Sequence, residues 1–210
     1  ASQPLATDAK VAIVAMDCMM PDSCDLNRFW EILISGEDVV KEVPAERWDP
    51  ALYYTSDKGD RDRVYSKWGG FLPPIAIDTV KLGIPPVSLK KIEPLQILTL
   101  ELITRLFEQH SIDFSQQVRD RTAVFLGAGG GIGDMGGKYA ARSEVERIAS
   151  AEKSDIYARL PEWGDETFPG LLFNVVAGRV ANRLNLKGAS YTVDAACASS
   201  LAAIYSAYRE

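Results

Sequence analysis

Apolar residues occur along this chain both in short continuous runs and at helical spacing. The first continuous run, Val11–Ala15, predicts a buried β-strand. After a turn at Pro21–Ser23, apolar residues recur every three or four positions, a spacing that predicts an amphipathic helix. Asp25 is suited to cap the start of this helix, and Gly36 is suited to end it. The helical apolar positions are Leu26, Phe29, Trp30 and Leu33.

The region from Val43 to Gly70 keeps no period and is rich in Asp, Arg, Tyr and Trp. It predicts a long irregular connection, and connections of that length usually carry a function or an interface. Within it, the charges alternate in sign from Asp57 to Arg63, a pattern that is typical of a solvated loop tip.

A second long helix is predicted to open at Pro94, because proline is favoured at the first helical position. Its apolar residues form one stripe that a second set widens, which indicates a helix buried on more than one side. The stripe consists of Leu95, Leu98, Leu102 and Leu106, and the second set of Ile97, Leu100, Ile103 and Phe107.

The remaining chain alternates between strand and helix patterns. Thr122–Leu126 predicts a strand that enters a cluster of glycines, and Tyr191–Val193 predicts another strand. The alternation predicts an α/β fold with a largely parallel sheet. The helical patterns cover Asn174–Leu184, the stretch from Ala195 to Glu210 and, more weakly, the surroundings of Val145 and Ile148.

Composition and charge exclude several classes of protein. The chain has 210 residues, 47% of them hydrophobic, as expected for one globular domain or part of a larger one. Acidic residues outnumber basic ones by 29 to 23, for a net charge of -6, so we expect no nucleic-acid partner. No apolar run reaches the roughly 18 residues of a membrane span, and the start lacks the apolar core of a secretion signal. We therefore expect a cytoplasmic protein and, without an initiator Met, a piece of a longer chain.

Three cysteines and a single histidine restrict the chemistry available to the chain alone. Cys18, Cys24 and Cys197 form no CxxC pair and lie at no zinc-ligand spacing from His110, so we expect no metal site. An odd number of cysteines in a non-secreted chain indicates free thiols. His110 follows the predicted helix that opens at Pro94, and we interpret it as a residue at the surface end of that helix.

Glycines cluster at positions 127–137 in the order GAGGGIGDMGG. Gly131, Gly133 and Gly136 satisfy the GxGxxG pattern after a strand, which is the fingerprint of dinucleotide binding. However, the turn is longer than the tight turn of that fold, and no second strand ends in an acidic residue about 20 positions later. We therefore predict a loop without a bound nucleotide and keep a nucleotide-binding oxidoreductase as an alternative.

The segment Ser190–Ile204 is the most informative, because a β-rich triplet leads into Asp194 and Cys197 and then into a stretch of small, helix-forming residues. Cys197 is then expected near a helix N-terminus. Free N–H groups and the helix dipole there stabilise a thiolate and can bind an oxyanion. The small neighbours leave room for an acyl chain. From composition alone, the simpler interpretation is that Cys197 is a small core residue.

The segment VDAACASSLAAI resembles the active-site segment of the β-ketoacyl synthases, the condensing enzymes of fatty-acid and polyketide assembly lines, usually VDTACSSSLVAL. Other segments resemble the same family in the same order. They include VAIVAMDCMMPDS, where the family has IAIVGMACRFPGA, and KIEPLQILTLEL, where it has MDPQQRLLLE. The others are RFWEILISGEDVVKEVPAERWD, YSKWGGFL, RTAVFLGA and VVAGRVANRLNLKGASYTVD.

The resemblance covers essentially the whole chain. The segment LPEWGDETFPG is most similar to synthases of polyunsaturated fatty acids and of enediyne polyketides. Two departures are mild: Ala15 replaces the family's glycine, and AAC-ASS replaces its usual TAC-SSS.

The resemblance implies a thiolase-like fold, layered αβαβα in the complete domain, of which residues 1–210 would be the N-terminal part, ending after the nucleophile helix. It implies that Cys197 accepts an acyl group from the phosphopantetheine of an acyl carrier protein. A decarboxylative Claisen condensation with a malonyl-carrier thioester then follows, and the domain binds no cofactor of its own. It also implies a homodimer that pairs through Lys187–Val193. The family's two His residues and a Lys lie in its second half, so the chain alone is expected to be inactive.

Three alternatives to a ketosynthase stay open. A non-catalytic condensing-enzyme partner, similar to a chain-length factor, would typically lack the nucleophilic cysteine, so Cys197 favours the enzyme. The oxidoreductase would use the glycine cluster. A thiol hydrolase would need Cys197 and His110 within hydrogen-bond reach of each other.

Overall fold

The computed structural model describes residues 10–110, 112, 115–129, 133–150 and 153–210. These residues divide into two compact units. The smaller unit is Val14–Ala76, and the larger is Ile77–Glu210 together with the described residues before Val14. The sequence patterns treated the chain as one piece and gave no sign of this division.

The smaller unit is built around the first predicted helix. The Asp25 side chain accepts a hydrogen bond from the Arg28 N–H at 2.9 Å, and Gly36 ends the helix with a left-handed φ of 67°. Both caps are those that the sequence predicted, as is the preceding turn, which Met20 and Ser23 close through paired backbone hydrogen bonds. The elements are α1 (Leu26–Ser35), β1 (Lys41–Glu42), α2 (Pro50–Tyr53) and β2 (Trp68–Gly69).

The predicted long connection between Val43 and Gly70 is confirmed as largely irregular. Strands β1 and β2 pair antiparallel at its two ends. At its tip, the backbone N–H of Asp62 donates to the Asp60 carboxylate at 2.9 Å, and this hydrogen bond holds the pKa of Asp60 below its usual value. The side chains from Asp57 to Arg63 are mostly exposed, as a solvated loop tip requires.

The larger unit carries a parallel pair of strands. Strand β3 pairs with β4 so that Val124 lies opposite Ser190 and Gly127 opposite Val193. The parallel arrangement confirms the α/β prediction for these two strands. In chain order the elements are α3 (Thr79–Leu82), α4 (Pro86–Leu89), α5 (Pro94–Gln109), α6 (Gln116–Arg121), β3 (Val124–Gly127), α7 (Gly133–Ile148), α8 (Lys153–Ala158), α9 (Thr167–Leu171), α10 (Phe173–Leu184), β4 (Ser190–Val193), a 3-10 turn (Ala196–Ala198) and α11 (Ser199–Arg209).

The core of the larger unit lies where α5 and α10 pack on each other and α10 packs on the strands. Leu100, Ala177 and Val180 are fully buried there, and fully burying a side chain of the size of Leu or Val contributes about 1.5–3 kcal/mol. Helix α5 has the predicted start at Pro94. Its deepest side chains come from the second apolar set and not from the leucine stripe, whose members are half-buried.

A buried glutamine joins three of these helices. Gln96 is 1% exposed, and its amide donates to the carbonyls of Pro169 and Gly170, both at 2.9 Å. Its amide oxygen accepts from Arg179 at 3.0 Å, and Arg179 also binds Glu166 at 3.0 Å. Because both polar atoms of the Gln96 side chain are satisfied, the network fixes α9 and α10 against α5.

The predicted strand over Val11–Ala15 is wrong in this structure. The segment has no regular secondary structure, and Ile13 and Val14 are 79% and 82% exposed. A buried strand needs a hydrogen-bonding neighbour and cover on both faces. Among the described residues, no strand pairs with this segment.

One face of α11 is apolar and uncovered by the described residues. Leu201 is 72% exposed and Ile204 is 66% exposed. Together with Val11 and Tyr208 they line an open apolar groove of about 450 Å³. An apolar patch of this kind marks a surface that packs against another part of a protein.

We expect the isolated 210-residue chain to self-associate through this face. The double substitution Leu201→Gln with Ile204→Gln should lower the apparent mass in static light scattering, because it removes the apolar contact surface. Val80→Gln with Val87→Gln is the matched control, since both valines are exposed on other helices of the same unit. A chain that is monodisperse and monomeric before any substitution would contradict this expectation.

Candidate active site

Cys197 lies at the junction between strand β4 and helix α11. It occupies the middle of the 3-10 turn Ala196–Ala198, directly before α11 begins at Ser199. This is the predicted position near a helix N-terminus. The Cys197 side chain is exposed, whereas Cys18 is buried, so the simpler interpretation of Cys197 as a core residue does not fit the structure.

The residue before the cysteine has an unusual backbone. Ala196 has a positive φ of 49°, in the left-handed region that favours glycine. A non-glycine residue there costs about 1–3 kcal/mol and persists only when its surroundings fix it. The strain therefore points to hydrogen bonds that hold the turn in this conformation.

Side chains on either side of the turn supply those hydrogen bonds. The Ala196 N–H donates to the Asp194 carboxylate at 2.9 Å, and the Ala195 N–H donates to the Ser199 hydroxyl at 2.9 Å. The Ser199 hydroxyl in turn donates to the Ala196 carbonyl at 2.7 Å. From the sequence, Ser199 was predicted only to be a small neighbour of Cys197. A serine at a helix start was the signal available, because its hydroxyl commonly bonds nearby backbone groups.

The first glycines of the cluster lie against this turn. A Cβ on Gly127 would be 2.5 Å from the Ser199 carbonyl oxygen, and one on Gly129 would be 2.6 Å from the Asp194 carboxylate. The Ala128 N–H also donates to the Val193 carbonyl at 3.1 Å. In the sequence, the glycine cluster and the cysteine segment are separate candidate sites. The structure brings them together, and the glycines allow the close approach.

The second part of the cluster is not the predicted loop. Helix α7 begins at Gly133 and includes Gly136 and Gly137, whereas positions 130–132, with Gly131, lie outside the described residues. The Glu93 carboxylate accepts the Met135 N–H at 3.0 Å and so caps the helix from a distant part of the chain. This cap explains why a glycine-rich sequence starts a helix here.

The same carboxylate occupies the place that a nucleotide would need. In dinucleotide-binding folds the pyrophosphate binds at the N-terminus of the helix after the glycine turn. Here the Glu93 carboxylate lies 2.5 Å from the position of a Cβ on Gly133 and bonds the first helical N–H groups. A second anion would be repelled, so this geometry disfavours the oxidoreductase.

His110 does not complete a site with Cys197. It follows the last residue of α5 and is exposed, as the sequence predicted for a residue at a helix end. No hydrogen bond within the described part of the chain joins it to the cysteine. Over those same residues, no group of three or more His, Cys, Asp or Glu side chains is arranged to hold a metal ion. None of the described helices is both long and apolar enough to cross a membrane.

Comparison with known proteins points to one family. The family model described as β-ketoacyl synthase, N-terminal domain, matches residues 8–210. The chain is 30% identical over 209 residues to a polyunsaturated fatty acid synthase from Thraustochytrium sp., covering 94% of this chain and 7% of that protein. It is 32% identical to a mycocerosic acid synthase-like polyketide synthase from Mycolicibacterium smegmatis, covering 96% of this chain and 9% of that protein.

Solved structures agree with the sequence comparison. The oxazolomycin ketosynthase domain of Streptomyces albus is similar with a TM-score of 0.75 and 28% identity, over 94% of this chain and 31% of that domain. A ketosynthase from module 6 of the bacillaene synthase of Bacillus subtilis has a TM-score of 0.68 at 23% identity, over 94% of this chain and 29% of that chain. These likenesses confirm the thiolase-like fold expected from the motifs. The chain spans less than a third of each solved ketosynthase.

The contact between Gly127 and α11 can be tested by adding one methyl group. We expect Gly127→Ala to destabilise the protein by about 2 kcal/mol or more, because its Cβ would collide with backbone atoms that cannot move aside. Gly137→Ala is the matched control, since a Cβ there meets nothing within 4 Å and should stabilise α7 by about 0.5–1 kcal/mol. Chemical denaturation measures both, and equal stabilities for the two variants would contradict the packing described here.

Proposed function

Since the chain belongs to the β-ketoacyl synthase family, we propose that it carries the acyl-accepting part of a ketosynthase, with Cys197 as the nucleophile. One observation carries this proposal: Cys197 is an exposed thiol in a strained turn at the N-terminal end of α11. A thiolate at such a position is stabilised by the helix dipole and by nearby N–H groups.

The proposed first step is a transfer of the acyl group. The Cys197 thiolate attacks the carbonyl carbon of an acyl thioester, and backbone N–H groups stabilise the oxyanion that forms. The tetrahedral intermediate then releases the phosphopantetheine thiolate and leaves the acyl group on the Cys197 sulfur. The partner that delivers this group is an acyl carrier protein, and the domain needs no cofactor of its own for the step.

The proposed second step is the condensation. A malonyl-carrier thioester loses carbon dioxide, and the resulting carbanion attacks the acyl-Cys197 carbonyl to form the new carbon–carbon bond, which returns the thiolate. The family pattern assigns this step to two His residues and a Lys in its second half. The family model that matches residues 8–210 is that of the N-terminal domain, which supports placing these positions outside this part of the family's domain. We therefore propose that this part performs the acyl transfer and that condensation needs the rest of the domain.

Assembly and location are further proposals. Within the described residues, β4 pairs only with β3, and Ser190 and Tyr191 are exposed. The segment Lys187–Val193 is rich in β-forming residues and nearly free of charge, so this edge is our candidate for pairing with a second copy of the chain in a homodimer. The three free cysteines suit a reducing compartment, which supports a cytoplasmic location.

A non-catalytic partner is the second candidate function, but the site favours the enzyme. Such a partner forms no acyl-enzyme and so does not need a reactive thiol. In this chain, Cys197 is exposed and lies in a turn with a strained backbone. The thiol hydrolase is disfavoured, because within the described part of the chain no hydrogen bond joins His110, which caps the end of α5, to Cys197.

Selective alkylation tests the assignment of the nucleophile. In the full-length protein at about pH 7, we expect iodoacetamide to modify Cys197 well ahead of Cys18 and Cys24, because Cys197 is exposed before a helix N-terminus, whereas Cys18 is buried and Cys24 is half-buried. Peptide mass spectrometry gives the rate at each cysteine, with half-buried Cys24 as the internal control. Cys197→Ser should keep the fold and lose most acyl transfer, since a serine hydroxyl is far less ionised than a thiol. Equal labelling of all three cysteines would refute the assignment.

A further inference from the structure

The exposed turn that carries Cys197 has one buried anchor, the Ser199 side chain. Residues 194–198 are all exposed, whereas Ser199 is 6% exposed. Alanines occupy positions 195, 196 and 198 and have no polar side-chain atoms. Any side-chain hydrogen bonds to this part of the backbone therefore come from the residues that flank these alanines.

Ser199 makes more of these bonds than any other described side chain. Its hydroxyl accepts from the Ala195 N–H at 2.9 Å and donates to the Ala196 carbonyl at 2.7 Å. Its own backbone N–H also donates to the Ala196 carbonyl. The hydroxyl thus joins the Asp194–Ala195 peptide group to the Ala196–Cys197 peptide group across the left-handed Ala196, and both of its hydrogen-bonding roles are satisfied.

Ser199 is itself held in place from the other side. The end of β3 packs on its backbone so closely that a Cβ on Gly127 would lie 2.5 Å from the Ser199 carbonyl oxygen. Helix α11 continues from Ser199 to Arg209. A hydroxyl fixed at the junction of the sheet and a helix is a rigid point to which a strained turn can be attached.

Asp194 supports the turn in a weaker way. Its carboxylate accepts one hydrogen bond, from the Ala196 N–H at 2.9 Å, and its side chain is exposed to solvent. Water can replace an exposed acceptor of this kind, whereas removal of the Ser199 hydroxyl breaks the link that it makes between the Ala195 N–H and the Ala196 carbonyl.

We propose that Ser199 is the positioning residue for the nucleophile, because its hydroxyl holds Ala196 in the left-handed conformation that directs Cys197 toward the incoming thioester. This inference rests on the proposed function of Cys197. The hydroxyl does not touch the reacting atoms. It acts by keeping the sulfur at the N-terminal end of α11, and small displacements of a reacting group cost large factors in rate.

The experiment compares acylation rates of Cys197 in the full-length protein. The probe is an acyl-N-acetylcysteamine thioester, and intact-protein mass spectrometry follows the acyl adduct. Ser199→Ala should slow acylation about tenfold or more. Ser200→Ala, at the exposed neighbouring position, is the matched control and should stay within about twofold of the parent.

Two replacements of equal size separate the effect of the Ser199 hydroxyl on the acylation rate from the effect of side-chain packing. Thr and Val have nearly the same shape, but only Thr has a hydroxyl. We expect Ser199→Thr to acylate several-fold faster than Ser199→Val, and this pair decides the question if Ser199→Ala does not fold. Equal rates for the two variants would overturn the proposal.

Relief of backbone strain gives the second readout. Glycine adopts the left-handed conformation without the steric cost that alanine carries. In an Ala196→Gly background, removal of the Ser199 hydroxyl should therefore slow acylation less than it does in the parent. If removal of the hydroxyl slows acylation equally in both backgrounds, the hydroxyl does not act through Ala196, and the proposal is overturned.

Failure of this inference can be told apart from failure of the proposed function. If the parent protein forms no acyl adduct on Cys197, the proposed function fails, and the positioning role that rests on it falls too. If the parent is acylated and Ser199→Ala is acylated at the same rate, only the positioning role is refuted.

Discussion

The end of β3 lies so close to the start of α11 that no side chain fits between them. Gly127 provides the space, because a single Cβ there would overlap the carbonyl oxygen of Ser199. This contact fixes the position of the start of α11 relative to the two strands. The turn after β4 then has to connect the end of that strand to the start of α11. Ala196 adopts a left-handed backbone in that turn, and Cys197 follows it. The position of the exposed thiol therefore depends on the close approach of two backbone segments, the end of β3 and the start of α11.

Side-chain hydrogen bonds fix other elements of the larger unit to one another. Buried Gln96 fixes α9 and α10 against α5 through its bonds to Pro169, Gly170 and Arg179. Thr192 of β4 donates to the Phe173 carbonyl at 2.9 Å and so links the strand before Cys197 to the start of α10. Glu93 caps α7 after the glycine cluster. Each bond joins segments that are distant in sequence, so the site depends on long-range order.

The sequence predicted well those features that are encoded locally. The caps of α1, the proline that opens α5 and the change from a β-rich triplet to small residues before Cys197 are all short patterns. The family resemblance added the fold. The predictions that failed or were incomplete concern segments whose structure depends on residues distant in the sequence. The glycines of α7 form a helix because of Glu93, and the role of Ser199 depends on the left-handed turn that its hydroxyl contacts. The apolar run Val11–Ala15 does not form a strand because it lacks a partner strand among the described residues.

The proposed role of Cys197 as the acyl acceptor can be tested on the protein itself. The full-length protein is incubated with an acylated carrier protein and digested, and peptide mass spectrometry locates the added acyl mass. We expect a single adduct on the peptide that contains Cys197, and no adduct in the Cys197→Ala variant. An adduct on Cys18 or Cys24, or one that persists in that variant, would contradict the proposed role.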